Sequence, residues 1–199
     1  MNVVMVHGFL DTGRVFGALG RRLEAEGHKC HAPTLEPRDG RLGIPDLSGK
    51  LADYVANHVE RGVPSAFVGF SMGAIVARHY LQELGGARSA RAFFSIAGPH
   101  AGAYTAYLHP GLGARQMRPG SPFLASLESG IGKLSGMTVF TYRTPVDLMV
   151  QPARTSRIAG ASEVVVWCPF HALMPSDPTV IGHIAGALVR MGLGPLGTP

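Results

Sequence analysis

Cysteine is nearly absent from this chain, with Cys30 and Cys168 the only two in 199 residues. They fall on different, well-separated expected strands, so two free buried thiols are expected rather than a disulfide, in keeping with a reducing compartment. Charge is also sparse, at 16% of residues, and the formal net charge of +5 comes from arginines scattered over different expected elements, among them Arg21, Arg22, Arg88, Arg91, Arg115 and Arg118. Without a basic stripe or a pattern of stacking aromatics, nucleic acid is not an expected partner. A mild attraction to anionic surfaces or acidic substrates is all that the charge supports. No apolar run approaches the roughly 20 residues that span a bilayer. No Cys/His cluster has metal-ligand spacing. The 27 Gly and 15 Pro show no period, which excludes fibrous and repeat architectures. Met1 leads straight into an expected strand, leaving no room for a signal peptide. The expectation is a cytoplasmic protein, although a mature secreted form given a new Met would read the same.

What remains is an apolar chain, 46% hydrophobic, long enough for one well-buried core. A single domain is expected over residues 1–191, followed by a frayed tail at 192–199. Strand and helix patterns alternate. Strands are expected at Asn2–Val6, Lys29–Ala32, Ala66–Val68, Arg91–Ile96, Thr138–Tyr142 and Glu163–Trp167. Helices are expected near Arg14–Glu26, Leu47–Glu60, Met72–Leu84, Pro122–Glu128, Ala153–Ile158 and Pro178–Arg190. The Gly/Pro-rich stretch Gly98–Gly120 carries little regular structure. Such alternation implies right-handed crossovers and an α/β fold with about six mostly parallel strands covered on both faces. With strand order 2-1-3-4-5-6, ligands bind beyond the strand carboxyl ends, between the first and third strands.

The third strand runs into "VGFSMGAIVARHYL", which sets Ser71 between two glycines at the corner where strand gives way to helix. A G-x-S-x-G corner is a nucleophile elbow when its context agrees, and otherwise an ordinary helix cap. The turn is tight enough that Gly69 and Gly73 must lack side chains. A serine hydroxyl needs a base, and the base an orienting acid. Of nine histidines, His171 follows the last strand on a loop that can reach over the strand ends; His7 and His100 also sit on strand-end loops and remain rivals, better suited to shaping backbone. Asp147 follows the fifth strand on the same edge, 24 positions before His171 (171 − 147), giving the order Ser, Asp, His. Asp11 and Asp177 read as caps, and Asp39, Asp46 and Asp53 lie early. Oxyanion donors are expected from the amide of Met72, at a helix N-terminus, and from that of Phe9, in the loop "VHGFLDTG" after the first strand.

These residues resemble the α/β-hydrolases, and among them compact bacterial lipases and carboxylesterases without a large lid. "VVMVHGF" is similar to their oxyanion loop and "VGFSMGAIVARHYL" to their elbow. "FSIAGPHAG" resembles the lipase segment G-T-P-H-x-G, and "VDLMVQPARTSRIAGASEVVVWCPFHALM" the acid-and-base segment. The likeness covers nearly the whole chain. It departs where Pro99 directly follows Gly98, with no threonine, and where Pro169-Phe170 precedes the histidine in place of the usual glycine. The resemblance implies a minimal α/β-hydrolase fold with no large cap domain. It also implies hydrolysis of carboxylic esters through an acyl-enzyme on Ser71, with Asp147 and His171 completing a triad and no metal or other cofactor needed. Gly98–Gly120 is expected to wall the site, with Leu10, His100, Tyr104 and Leu173 meeting the substrate. The expected partner is an ester or lipid small molecule, with at most transient contact with a lipid interface, and the oligomeric state is open. Thioesterase, amidase or perhydrolase chemistry on the same machinery is the alternative. A catalytically silent binding protein is less favoured, because drift would be expected to erase a member of the Ser/Asp/His set.

Overall fold

The computed structural model describes residues 1–192, so the tail expected at 192–199 lies almost wholly outside the described residues. Its strands are β1 (Asn2–Val6), β2 (Lys29–His31), β3 (Ser65–Phe70), β4 (Ala90–Ile96), β5 (Thr138–Arg143) and β6 (Ser162–Val165). They form one sheet in the order β2-β1-β3-β4-β5-β6, and every neighbouring pair is parallel. The helices are α1 (Gly17–Ala25), α2 (Ile44–His58), α3 (Met72–Glu83), α4 (Leu112–Gln116), α5 (Pro122–Ser129) and α6 (Pro178–Arg190).

Alternate residues of the central strands feed two cores. Val4, Val6, Phe67 and Phe93 pack with Leu47 and Leu51 of α2, Ile75 and Val76 of α3, and Leu124 of α5. Val3, Met5, Val68 and Phe94 pack with Leu19 of α1 and Ile184 of α6 on the other face. A sheet covered on both faces needs apolar side chains at both pleat positions, which is why β1 and β3 read as continuous apolar runs.

The helix expected near Arg14–Glu26 begins as a 3-10 turn, Gly13–Phe16. The stretch Gly98–Gly120 is more ordered than expected, with a 3-10 turn at Tyr104–Leu108 and α4 behind it. Tertiary bonds stabilise these short pieces: the Ile44 amide donates to Gln116 Oε1 at 2.7 Å and the Gly113 amide to Gly40 O at 3.0 Å. The sixth strand ends at Val165, before Trp167. Both cysteines are free, and Cys168 lies beyond β6 rather than on it. Among the described residues no helix is long and apolar enough to cross a membrane.

Arg78 of α3 is an unexpected element of the core. It is fully buried, donating to Gln82 Oε1 at 2.7 Å, to Leu127 O at 2.9 Å and to Glu128 at 2.9 Å. These bonds tie the helix that follows Ser71 to α5.

Candidate active site

The elbow follows from backbone crowding. A Cβ on Gly69 would lie 2.4 Å from Ala74 Cα, and one on Gly73 would lie 2.1 Å from Val6 O. Both positions therefore need glycine if α3 is to start this close to the sheet. Ser71, between them, adopts φ 52° and ψ −123°, a region costing on the order of 1–3 kcal/mol for a residue with a side chain. Its amide is anchored to Ile96 O at 2.8 Å. Gly8 in the loop after β1 abuts the serine, since a Cβ there would lie 3.1 Å from Ser71 Cβ. The β1 and β3 ends thus meet where the strand order reverses.

From the segments after β5 and β6, on the same edge of the sheet, come Asp147 and His171. His171 Nδ1 lies 2.8 Å from Asp147 Oδ2, and because a carboxylate only accepts, Nδ1 carries the proton and Nε2 is left to accept one. The other carboxylate oxygen, Oδ1, accepts the amides of Met149 and Val150, each at 2.8 Å. Gln151 Nε2 donates to the Asp147 carbonyl. Burial pushes the Asp147 carboxyl up, but the bonds from His171, Val150 and Met149 together outweigh it and hold the pKa below the usual value. The His171 ring lies against Phe70, the residue before Ser71, with centroids 4.9 Å apart. The Ser71 hydroxyl makes no hydrogen bond among the described residues; contacts of this kind often tighten only when substrate is present. Nor does the amide of Phe9 or Met72 donate to another group among the described residues, so both are free to bind an anion.

The two rival histidines are both buried. His7 receives the Leu35 amide on Nε2 at 2.9 Å and donates from Nδ1 to Gly8 O at 2.8 Å, fixing the loop that carries Phe9. His100 holds Ser95 Oγ at 2.7 Å through Nε2. Burial lowers the pKa of each ring, aided at His100 by the Arg78 charge. Both are thus neutral in the fold and take protons more readily when unfolded. Their stabilising contribution is present above the unfolded value of 6.5 and is lost as pH falls from there toward the lowered folded values. Each can remove at most about 1.4 kcal/mol per pH unit. Thermal unfolding should therefore show a clear fall in Tm between pH 7 and pH 5, and an unchanged Tm would contradict this assignment.

An open cleft of about 490 Å³ lies beside Ser71. Its mouth is formed by Phe9, Ser71, His109 and Met149; Met72, Ala103, Ala106, Ala114, Met117 and Val150 form a buried, wholly apolar floor. Much of this wall does come from Gly98–Gly120. None of the four residues expected at the substrate surface lines this cleft. His100 is only 3% exposed and sits in the interior on Ser95. Leu10, Tyr104 and Leu173 are 60%, 60% and 52% exposed and do not line the cleft. A loop's sequence does not show which residue turns inward: Tyr104 opens the 3-10 turn facing solvent, while Thr105 and Ala106 line the cleft. Met149 and Val150 went unforeseen, although their place just after Asp147 was the available clue. Among the described residues no group of three or more His, Cys, Asp or Glu is placed to hold a metal ion.

The profile described as the alpha/beta hydrolase family matches residues 3–191. The chain belongs to the alpha/beta hydrolase family. Solved structures share the hydrolase's architecture at low sequence identity. A pyrethroid hydrolase from Sphingobium faniae JZ-2 is 16% identical, covering 96% of this chain and 97% of its own, with a TM-score of 0.68. The mature Bacillus licheniformis lipase BlEst2 is 14% identical, covering 97% and 91%, with a TM-score of 0.70. Aspergillus fumigatus lipase B is 15% identical, covering 94% of this chain and 52% of its own, with a TM-score of 0.73. At such identities the likeness is one of fold. No curated protein matches the chain at the level of sequence.

Proposed function

We propose that this hydrolase cleaves carboxylic esters through an acyl-enzyme on Ser71. The observation that carries the reading is the 2.8 Å bond between His171 Nδ1 and Asp147, on a ring packed against the residue before the elbow serine. Ser71 Oγ attacks the ester carbonyl as its proton passes to His171 Nε2, and Asp147 stabilises the imidazolium. The amides of Phe9 and Met72 hold the oxyanion. His171 then protonates the departing alcohol, leaving an ester bond between the acyl group and Ser71. Water, deprotonated by His171, attacks that bond and releases the carboxylic acid.

The apolar floor of the cleft suits the hydrocarbon part of an ester. Lipid esters met at an interface are a second reading, favoured by the exposed apolar side chains of Leu10, Leu108, Leu112, Leu148, Phe170 and Leu173, all in segments that follow the carboxyl ends of β1, β4, β5 and β6. Both readings are tested by comparing the wild type and Ser71→Ala on chromogenic esters from acetate to palmitate. Dependence on Ser71 supports the mechanism, and the preferred chain length separates esterase from lipase. Turnover of thioesters or amides in place of esters would move the assignment to another acyl transfer.

A further inference from the structure

The cleft beside Ser71 is bounded at one side by a pair of rings. Phe9 and His109 lie with centroids 4.6 Å apart and planes tilted by 52°. The same two residues also line a second recess of about 620 Å³, whose other walls are Asp39, Arg41, Pro110 and Gly111. The chemistry differs on the two sides. The cleft floor is apolar, whereas the recess carries an Arg41–Asp39 ion pair at 3.1 Å. A third side chain holds the His109 half of the pair in place. Arg118 donates from Nη2 to His109 O and from Nε to Ala106 O, each at 3.4 Å, and its guanidinium lies 4.8 Å over the Tyr107 ring.

We propose that the Phe9–His109 ring pair is a partition that sets the size of the substrate, with Arg118 as the positioning residue that keeps it closed. This rests on the ester-hydrolase reading. In that reading the Phe9 amide meets the reacting carbonyl, so the ester's two halves diverge close to the partition. With both rings present, the substrate is confined to the apolar cleft, which admits compact apolar esters. With the His109 ring gone, cleft and recess join, and the Arg41–Asp39 pair offers hydrogen bonds to a polar group reaching into the recess. Esters of bulky, hydroxyl-bearing alcohols are therefore the class that the partition excludes.

The test compares ethyl butyrate with glucose 6-butyrate, which share an acyl group, using acid release at constant pH as readout. Differences in fit at a substrate pocket are worth about 10- to 200-fold in kcat/KM. His109→Ala should raise the ratio of kcat/KM for the glucose ester over the ethyl ester at least about tenfold. Arg118→Ala should shift it in the same direction, through KM for the glucose ester, and Arg118→Lys should shift it less. His109→Phe keeps a ring and should stay near the wild-type ratio. A wild-type ratio in both His109→Ala and Arg118→Ala, or a His109→Phe ratio equal to that of His109→Ala, overturns the partition. Turnover that persists in Ser71→Ala, or no turnover of either ester by the wild type, instead overturns the mechanism beneath it.

Discussion

His171→Ala is expected to lower kcat on a carboxylic ester by on the order of 10⁶, as removal of the base does in serine proteases. The reason is specific to the geometry. The Ser71 hydroxyl has no hydrogen-bond partner among the described residues, and in the proposed mechanism its proton passes to His171, whose ring lies against Phe70. Removing that ring leaves a neutral hydroxyl, a poor nucleophile at neutral pH. Asp147→Asn should cost less, about 10⁴, because the base remains but its tautomer is no longer fixed. In this chain the asparagine also meets two inward-pointing amides, those of Met149 and Val150. Its amide oxygen can satisfy them only by turning its NH₂ toward His171 Nδ1. Steady-state kinetics on one ester with the three proteins gives the comparison; a His171→Ala enzyme within tenfold of the wild type would assign the base elsewhere.

Gly73→Ala should be among the most damaging single methyl additions at the described residues. The added Cβ would lie 2.1 Å from Val6 O and 2.3 Å from His7 O, both backbone atoms at the end of β1 and neither free to swing aside. Either α3 retreats from β1 or the loop carrying Phe9 is displaced, so stability and activity fall together. A loss of at least about 4 kcal/mol belongs to this class of clash, and for a domain of this size it corresponds to a fall in Tm of roughly 8–16 °C. Gly49 in α2 is the control. A Cβ there would meet nothing within 4 Å, and alanine should be neutral or stabilising by up to about 1 kcal/mol. A Gly73→Ala protein that melts with the wild type would mean that α3 does not approach β1 this closely.

The parallel sheet was legible because covering both of its faces makes runs such as Val3–Val6 and Ala66–Val68 apolar throughout. The elbow was legible because two glycines four positions apart, Gly69 and Gly73, flank Ser71 and reflect hard backbone contacts. The placement of His171 beside Asp147 could be anticipated from strand ends alone, since chain order and a parallel sheet bring those loops to one edge. The short helices between Gly98 and Gly120 were not legible, because they depend on partners more than 70 residues away in sequence, such as Gln116 on Ile44. Arg78 reads as an ordinary polar helix residue until Leu127 and Glu128 are brought against it. The floor of the cleft, with Ala103, Ala106 and Ala114, carries no signal in sequence, because an alanine that makes room for a ligand looks like one that fills a core.

The most direct measurement is turnover of the chromogenic ester series by purified wild type and Ser71→Ala. A serine hydrolase working through this elbow should turn over at least one ester, with kcat falling on the order of 10⁶ in the variant. Equal turnover by the two proteins, or none by either across the whole series, would contradict ester hydrolysis at Ser71.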